Sequence, residues 1–380
     1  MSYQSVDQLQ RVLTEEVFHY AKDAKKAAGR ALGTLVEIIT FYALKSWGFE
    51  HNIAIERPLP EFANDEITHN VEYSLHPSVD SATIPFTHEL LPLTSRKILK
   101  QPALAQLVIR PESVKTNALL TRNLILRNSC TIGEVEGAFF NAYLDRFTNS
   151  QGECSVASLW SRPFAIIECK RVGVEEGMKK GPQTIEKAKQ GAYVARTVSG
   201  LQKLRFSDGK MGGLIQRQNG EIEIGDYYCL MAQIIDSDDK ELLSRFILTV
   251  GVVSNHGNWF TSHNHNKELK VLAQSYDWLL FLTDAGLSQF IDQLLFNPTR
   301  DLQPAKDAFL VSYTGQKGVN QFTKVKIALA ADAALQSFFR SNLRVIESWF
   351  NVIAPARKRL SVLKSELETL KRKNWGEIHG

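Results

Sequence analysis

Cysteine is scarce in this chain: the four present, Cys130, Cys154, Cys169 and Cys229, form no Cys-X-X-Cys pair and have no matching set of histidines. That pattern excludes a zinc knuckle and a disulfide framework, so reduced thiols are expected. No run approaches the roughly 20 uninterrupted apolar residues of a membrane span, and MSYQSVDQLQ lacks a charged start followed by an apolar core. No membrane partner and no secretory leader are therefore expected, and the cytoplasm is the default compartment. Internal repeats, low-complexity tracts and linkers long enough to mark a firm boundary are also missing. A P-loop and an activated Ser or Cys nucleophile lack support, and the glycines of DGKMGG (208–213) do not follow a strand with dinucleotide-binding spacing.

What is present is an ordinary soluble globular composition, 380 residues with 44% hydrophobic content, enough for a sizeable core. The formal net charge of +4 is small but uneven. Residues 101–200 carry a net +4 and 301–380 a net +6, whereas the other two blocks are each −3. Basic charge confined to two blocks suits a polyanion-binding face, although a solvated surface of mixed sign gives the same totals.

The periodicity predicts strands interleaved with helices, hence an α/β fold with a mixed sheet covered on both faces. GRALGTLVEIITFYALKSWGF (29–49) reads as a buried helix closed by Trp47 and Gly48. The stretch from Pro58 to about Ser95, with five prolines among polar residues, reads as an irregular insertion. Strands are predicted at 137–147, 163–172, 226–235, 245–253 and 278–283, and helices at about 184–198 and in AGLSQFIDQLL. From Val325 onward the chain reads as helical, ending in RKRLSVLKSELETLKRK, where Leu360, Leu363, Leu367 and Leu370 form a stripe for docking on the domain or on a second subunit.

The chemistry concentrates in PFAIIECKRV (163–172). Alternation along a strand puts Glu168 and Lys170 on one face and Ile167 and Cys169 on the other. Charged groups that follow a buried apolar run are costly unless paired or metal-bound. A divalent cation needs a second carboxylate, and Asp145, 23 positions before Glu168, is the choice, with TNSQGECSVASLWSR returning the chain as a loose hairpin. Glu134 and Glu136 are the alternatives.

An acid, a spacer of some tens of residues, then Glu-X-Lys ending a hydrophobic strand resembles the PD-(D/E)XK nuclease superfamily, which includes most type II restriction endonucleases. Matched residue by residue, the resemblance gives Asp145, Glu168 and Lys170, with Leu144 where the pattern has proline. Members often add a glutamate from an early buried helix, matched here by Glu37, and a glutamine with a nearby tyrosine on the helix after the motif, matched by Gln190 and Tyr193.

The resemblance implies a restriction-endonuclease-like core over residues 1–300, with the insertion near 58–110 and a helical, basic C-terminal region over 301–380 for DNA contact or dimerisation. It implies Mg²⁺ held by Asp145, Glu168 and the main-chain carbonyl of Cys169, with Lys170 orienting water or stabilising charge. Arg171, Lys179, Lys180, Lys187 and Lys189 are the expected phosphate contacts. The implied partners are double-stranded DNA, a second copy of the chain in a homodimer and a cognate DNA methyltransferase. Three readings stand beside it: a non-catalytic DNA-binding module on the same fold, a repair-type nuclease, and an unrelated α/β enzyme in which Glu168 and Lys170 are a structural ion pair. His256, His263 and His265 spell a histidine-rich loop without a metal-ligand pattern.

Overall fold

The computed structural model of the chain describes residues 5–107, 111–148, 150–172, 182–255, 267–313 and 320–379, and not the side chains of 106, 182–189, 267, 268 and 379. The predicted early helix is α1 (Ala24–Ser46), capped by Asp23, whose carboxylate accepts from the Lys26 amide. Twelve of its residues are buried, from Ala28 to Leu44. It is long and apolar enough to cross a membrane, but 67% of its most apolar window is packed inside the protein.

The segment expected to be irregular forms strands instead: β1 (Ile53–Glu61) and β2 (Asn64–Leu75), paired as a hairpin, and β3 (Ser78–Thr87), which opens a second sheet. Its prolines sit where a sheet tolerates them. Pro58 and Pro60 lie on β1 and Pro85 on β3, each an edge strand that loses little by lacking an N–H donor. Farther along come β4 (Cys130–Val135), β5 (Ala138–Phe147), β6 (Gln151–Trp160) and β7 (Ala165–Val172). Then follow α2 (Pro182–Thr197), α3 (Tyr227–Asp236), β8 (Leu248–Asn255), β9 (Trp278–Leu282) and α4 (Asp284–Ile291). The chain closes with α5 (Leu329–Ser341), β10 (Phe350–Ala354) and α6 (Leu360–Lys371).

These elements make an α/β protein with mixed sheets. The central one has six strands in the order β1-β2-β7-β8-β9-β10. Strands β7, β8 and β9 run parallel, and β2 and β10 are antiparallel to their neighbours. A second sheet, ordered β3-β6-β5-β4 and completed by Ser113–Val114, is wholly antiparallel. It grows out of the turn between β2 and β3 and returns to the central sheet at β7, so it stands as a large insertion between two neighbouring strands.

Two further expectations are corrected. DYYCLMAQII is helix α3, not a strand: Tyr227, Leu230, Met231, Ile234 and Ile235 are buried at helical spacing, and the Asp226 carboxylate caps the Cys229 amide. The C-terminal region is not a separate helical unit. Its β10 pairs with β9, its Lys326–Ala328 strand pairs with Ile125–Arg127, and Tyr42 of α1 donates a hydrogen bond to Asp332 of α5 at 2.6 Å. Leu363, Leu367 and Leu370 of α6 are buried within the chain's own core, which settles the leucine stripe as a docked helix. The cysteines are free thiols, three buried and Cys229 exposed.

Candidate active site

The β7 strand is buried from Ala165 to Cys169 because it lies between β2 and β8 with helices on both faces, so it carries its charged pair into the interior. Glu168 is 9% exposed, and Lys170 Nζ stands 2.6 Å from its Oε1. Burial pushes the Glu168 carboxyl above its ordinary value, and the Lys170 ammonium draws it back. Helix α2 closes over the pair at Gly191, where a Cβ would come within 3.0 Å of Glu168 Cγ and 2.6 Å of the Tyr276 hydroxyl. Only glycine lets that helix approach so closely.

The acidic residue that meets Glu168 on the neighbouring strand is Glu72, not Asp145. Register between β2 and β7 runs Leu75–Ala165, Ser74–Ile166 and Tyr73–Ile167, and the next position brings Glu72 to Glu168. The Glu72 amide donates to Glu168 Oε2 at 3.0 Å, and the Glu72 side chain is itself buried. Asp145 lies in the other sheet because the connection expected to be a loose return is strand β6, which pairs with β5 along its length. There Asp145 accepts from the Ser155 hydroxyl at 2.6 Å and meets His51 Nε2 at 3.0 Å, beside a cavity of about 420 Å³. Glu134 lies in that sheet too, paired with Arg57 at 3.1 Å and Lys115 at 2.5 Å, and Glu136 follows at its hairpin turn. The buried charged side chains, not the cavity volume, locate the candidate site at Glu72 and Glu168.

Glu37 does join this group. The hydroxyl of Tyr73, one residue from Glu72, donates to the Glu37 carbonyl at 2.8 Å and ties α1 to β2. The Glu37 carboxylate reaches toward Lys324 Nζ at 3.6 Å. Burial raises its pKa, and the Lys324 ammonium opposes that shift. The same ammonium meets Glu56 at 3.1 Å and makes its closest contact with Glu72. Glu56, Glu72 and Lys324 were not singled out in the sequence. The detectable signal was the buried, β-rich VEYSL after the last polar residues of the β2 arm.

The remaining expected contacts divide. Gln190 is exposed beside Gly191, whereas the exposed Tyr193 turns to Glu61 and His69. Arg171 donates to the Gly29 carbonyl at 2.9 Å and to the Asn255 carbonyl at 3.4 Å, joining β7 to α1 and β8. Lys179, Lys180, His256, His263 and His265 lie outside the described residues, as do the side chains of Lys187 and Lys189 on α2. Cys169 sits between Glu168 and Lys170 in register with Val252, its thiol raised in pKa by burial.

Hard carboxylate oxygens from Glu72 and Glu168, with Glu37 nearby, are the donor set that suits Mg²⁺. Among the described residues no three His, Cys, Asp or Glu side chains converge in ready metal geometry. Lys324 stands among Glu37, Glu56 and Glu72, and its ammonium is the positive charge paired with this acidic group. Comparison with known protein families, curated proteins and solved structures finds no match.

Proposed function

We propose that this chain is a Mg²⁺-dependent endonuclease that hydrolyses phosphodiester bonds in double-stranded DNA, with Glu72, Glu168 and Lys170 as its working residues. The observation that carries the reading is the meeting of Glu72 with the Glu168-X-Lys170 pair at the point where β2 and β7 part, with Glu37 supplied from buried α1. This is the acid, Glu-X-Lys and helix glutamate of the PD-(D/E)XK resemblance, with the first acid taken from β2 and a whole sheet inserted before the second. A restriction-endonuclease-like core is accordingly the finer description of the central sheet that we favour.

Glu72 and Glu168 would hold the ion, which supplies Lewis acidity and lowers the pKa of water. Lys170, fixed by its contact with Glu168, offers a compact positive charge to the attacking water or to charge growing on the phosphate. Gly191 and Tyr276 pack against the pair from the α2 side. Cutting at defined sequences, by a homodimer accompanied by a cognate methyltransferase, extends the same reading, as it would for a type II restriction enzyme.

Incubation of the purified protein with phage DNA in Mg²⁺ and in EDTA, beside Glu168→Ala and Lys170→Ala, tests the proposal. Discrete fragments that require Mg²⁺ and disappear in both variants are expected. A protein that shifts DNA equally with and without the substitutions and never cuts it is a binding module, and the nuclease reading fails.

A further inference from the structure

Lys324 is 8% exposed, yet it belongs to no helix or strand and arrives from the far C-terminal part of the chain. Its backbone is held in place: the Asn128 side-chain amide donates to the Lys324 carbonyl at 3.0 Å, and the Asn128 backbone amide donates to the Val325 carbonyl at 2.9 Å. A lysine buried this far must be compensated, and Glu37, Glu56 and Glu72 do so. Glu56 differs from the other two. Its side chain is 55% exposed, and its backbone lies in the left-handed region at φ 52°, between the ladder pairs Ile55–Tyr73 and Arg57–Val71. A non-glycine residue in that region inside a strand is held there by its surroundings. Here the kink sets a carboxylate at the rim of the cluster, against the same ammonium.

Resting on the metal-site reading above, we infer that Lys324 is an internal counter-ion: its ammonium neutralises Glu37 and Glu72 until a divalent cation displaces it toward Glu56 and solvent. The exchange is ionic and makes or breaks no covalent bond. One charge leaves the inner carboxylates, still protonated, and two enter. Without the ammonium, three carboxylates would repel one another in a partly dry site, so the lysine keeps the ligands assembled before metal arrives. Its presence also weakens metal binding, because the incoming ion must compete with a charge already seated against Glu72, one of its ligands. The enzyme would be stable and quiet when divalent ions are scarce, with loading and exposure of Lys324 linked.

Two measurements on the full chain test this. Acetic anhydride labelling read by mass spectrometry should find Lys324 protected in EDTA and several-fold more reactive in Mn²⁺, while Lys45, half-buried and paired with Asp332, keeps one reactivity in both. Calorimetry with Mn²⁺ should show Lys324→Met binding at least about tenfold more tightly than the parent, Lys324→Arg close to the parent, and Glu168→Gln not at all. If the parent binds Mn²⁺ and Glu168→Gln does not, but Lys324 stays protected and Lys324→Met gains nothing, the metal site stands and the counter-ion inference falls. If neither the parent nor Lys324→Met binds Mn²⁺, both fall. Should Lys324→Met not fold, labelling of the parent decides alone.

Discussion

Gly191→Ala separates packing from chemistry at the site. The added methyl would sit 2.6 Å from the Tyr276 hydroxyl, 3.0 Å from Glu168 Cγ and 3.5 Å from Lys170 Cε. Tyr276 is buried and cannot swing aside, so the strain passes to the helix and to the charged pair. Overpacking of this kind costs about 1–3 kcal/mol. Alanine returns about 1 kcal/mol over glycine within a helix. The net loss of stability is therefore expected at roughly 0–2 kcal/mol, small enough to leave the protein folded. Activity should suffer far more, because moving Glu168 and Lys170 by about 1 Å reduces a positioned reaction on the order of a hundredfold. Urea denaturation beside a Mg²⁺-dependent DNA cleavage assay reads both quantities. A variant that is more stable than the parent and cuts at the parental rate would refute the close approach of α2.

Three further substitutions probe other parts of the account. Glu366 accepts a hydrogen bond from the Trp278 indole at 2.8 Å, and burial pushes its carboxyl up to about 7. An acid raised on folding destabilises the folded state progressively as pH rises from its ordinary value near 4.5 through 7, so Glu366→Gln should stabilise by about 1–2 kcal/mol at pH 8 and by little at pH 4, measured by urea denaturation. Asp332 accepts from Tyr42, Lys45 and Gln336 in a buried junction of α1 and α5. Asp332→Ala strands the Lys45 ammonium and should cost about 3–5 kcal/mol, whereas a folded C-terminal region independent of α1 would predict almost no effect. Arg171→Ala should lower stability by about 1–3 kcal/mol while leaving the salt dependence of DNA binding unchanged, and a slope reduced by about one phosphate contact would contradict its structural role.

The central sheet was legible where burial and period agree. The strands β7, β8 and β9 read directly as short apolar runs, and α1 and α2 as helices, because each is buried on a side that its own sequence announces. The β1–β2 hairpin was hidden by edge prolines, and α3 by a run so apolar that helix and strand look alike. Within the site, Glu168 and Lys170 were visible as a charged pair closing a buried strand, and Glu37 as a lone carboxylate in an apolar helix. Glu72 was not, because distance along the chain favoured Asp145. A strand separated from its neighbour by an inserted sheet leaves no local sign of the pairing. Lys324 was invisible for the same reason: it comes to Glu72 from 252 residues away.

The assignment of Glu72 in place of Asp145 is the claim on which the account turns, and cleavage of phage DNA in Mg²⁺ by Glu72→Gln and Asp145→Asn, side by side, tests it most directly. Glu72→Gln, verified as folded, should lose cleavage to the extent that Glu168→Ala does, whereas Asp145→Asn should cut at close to the parental rate. Loss of cleavage in Asp145→Asn with activity retained in Glu72→Gln would contradict the site described here and return the first acid to the second sheet.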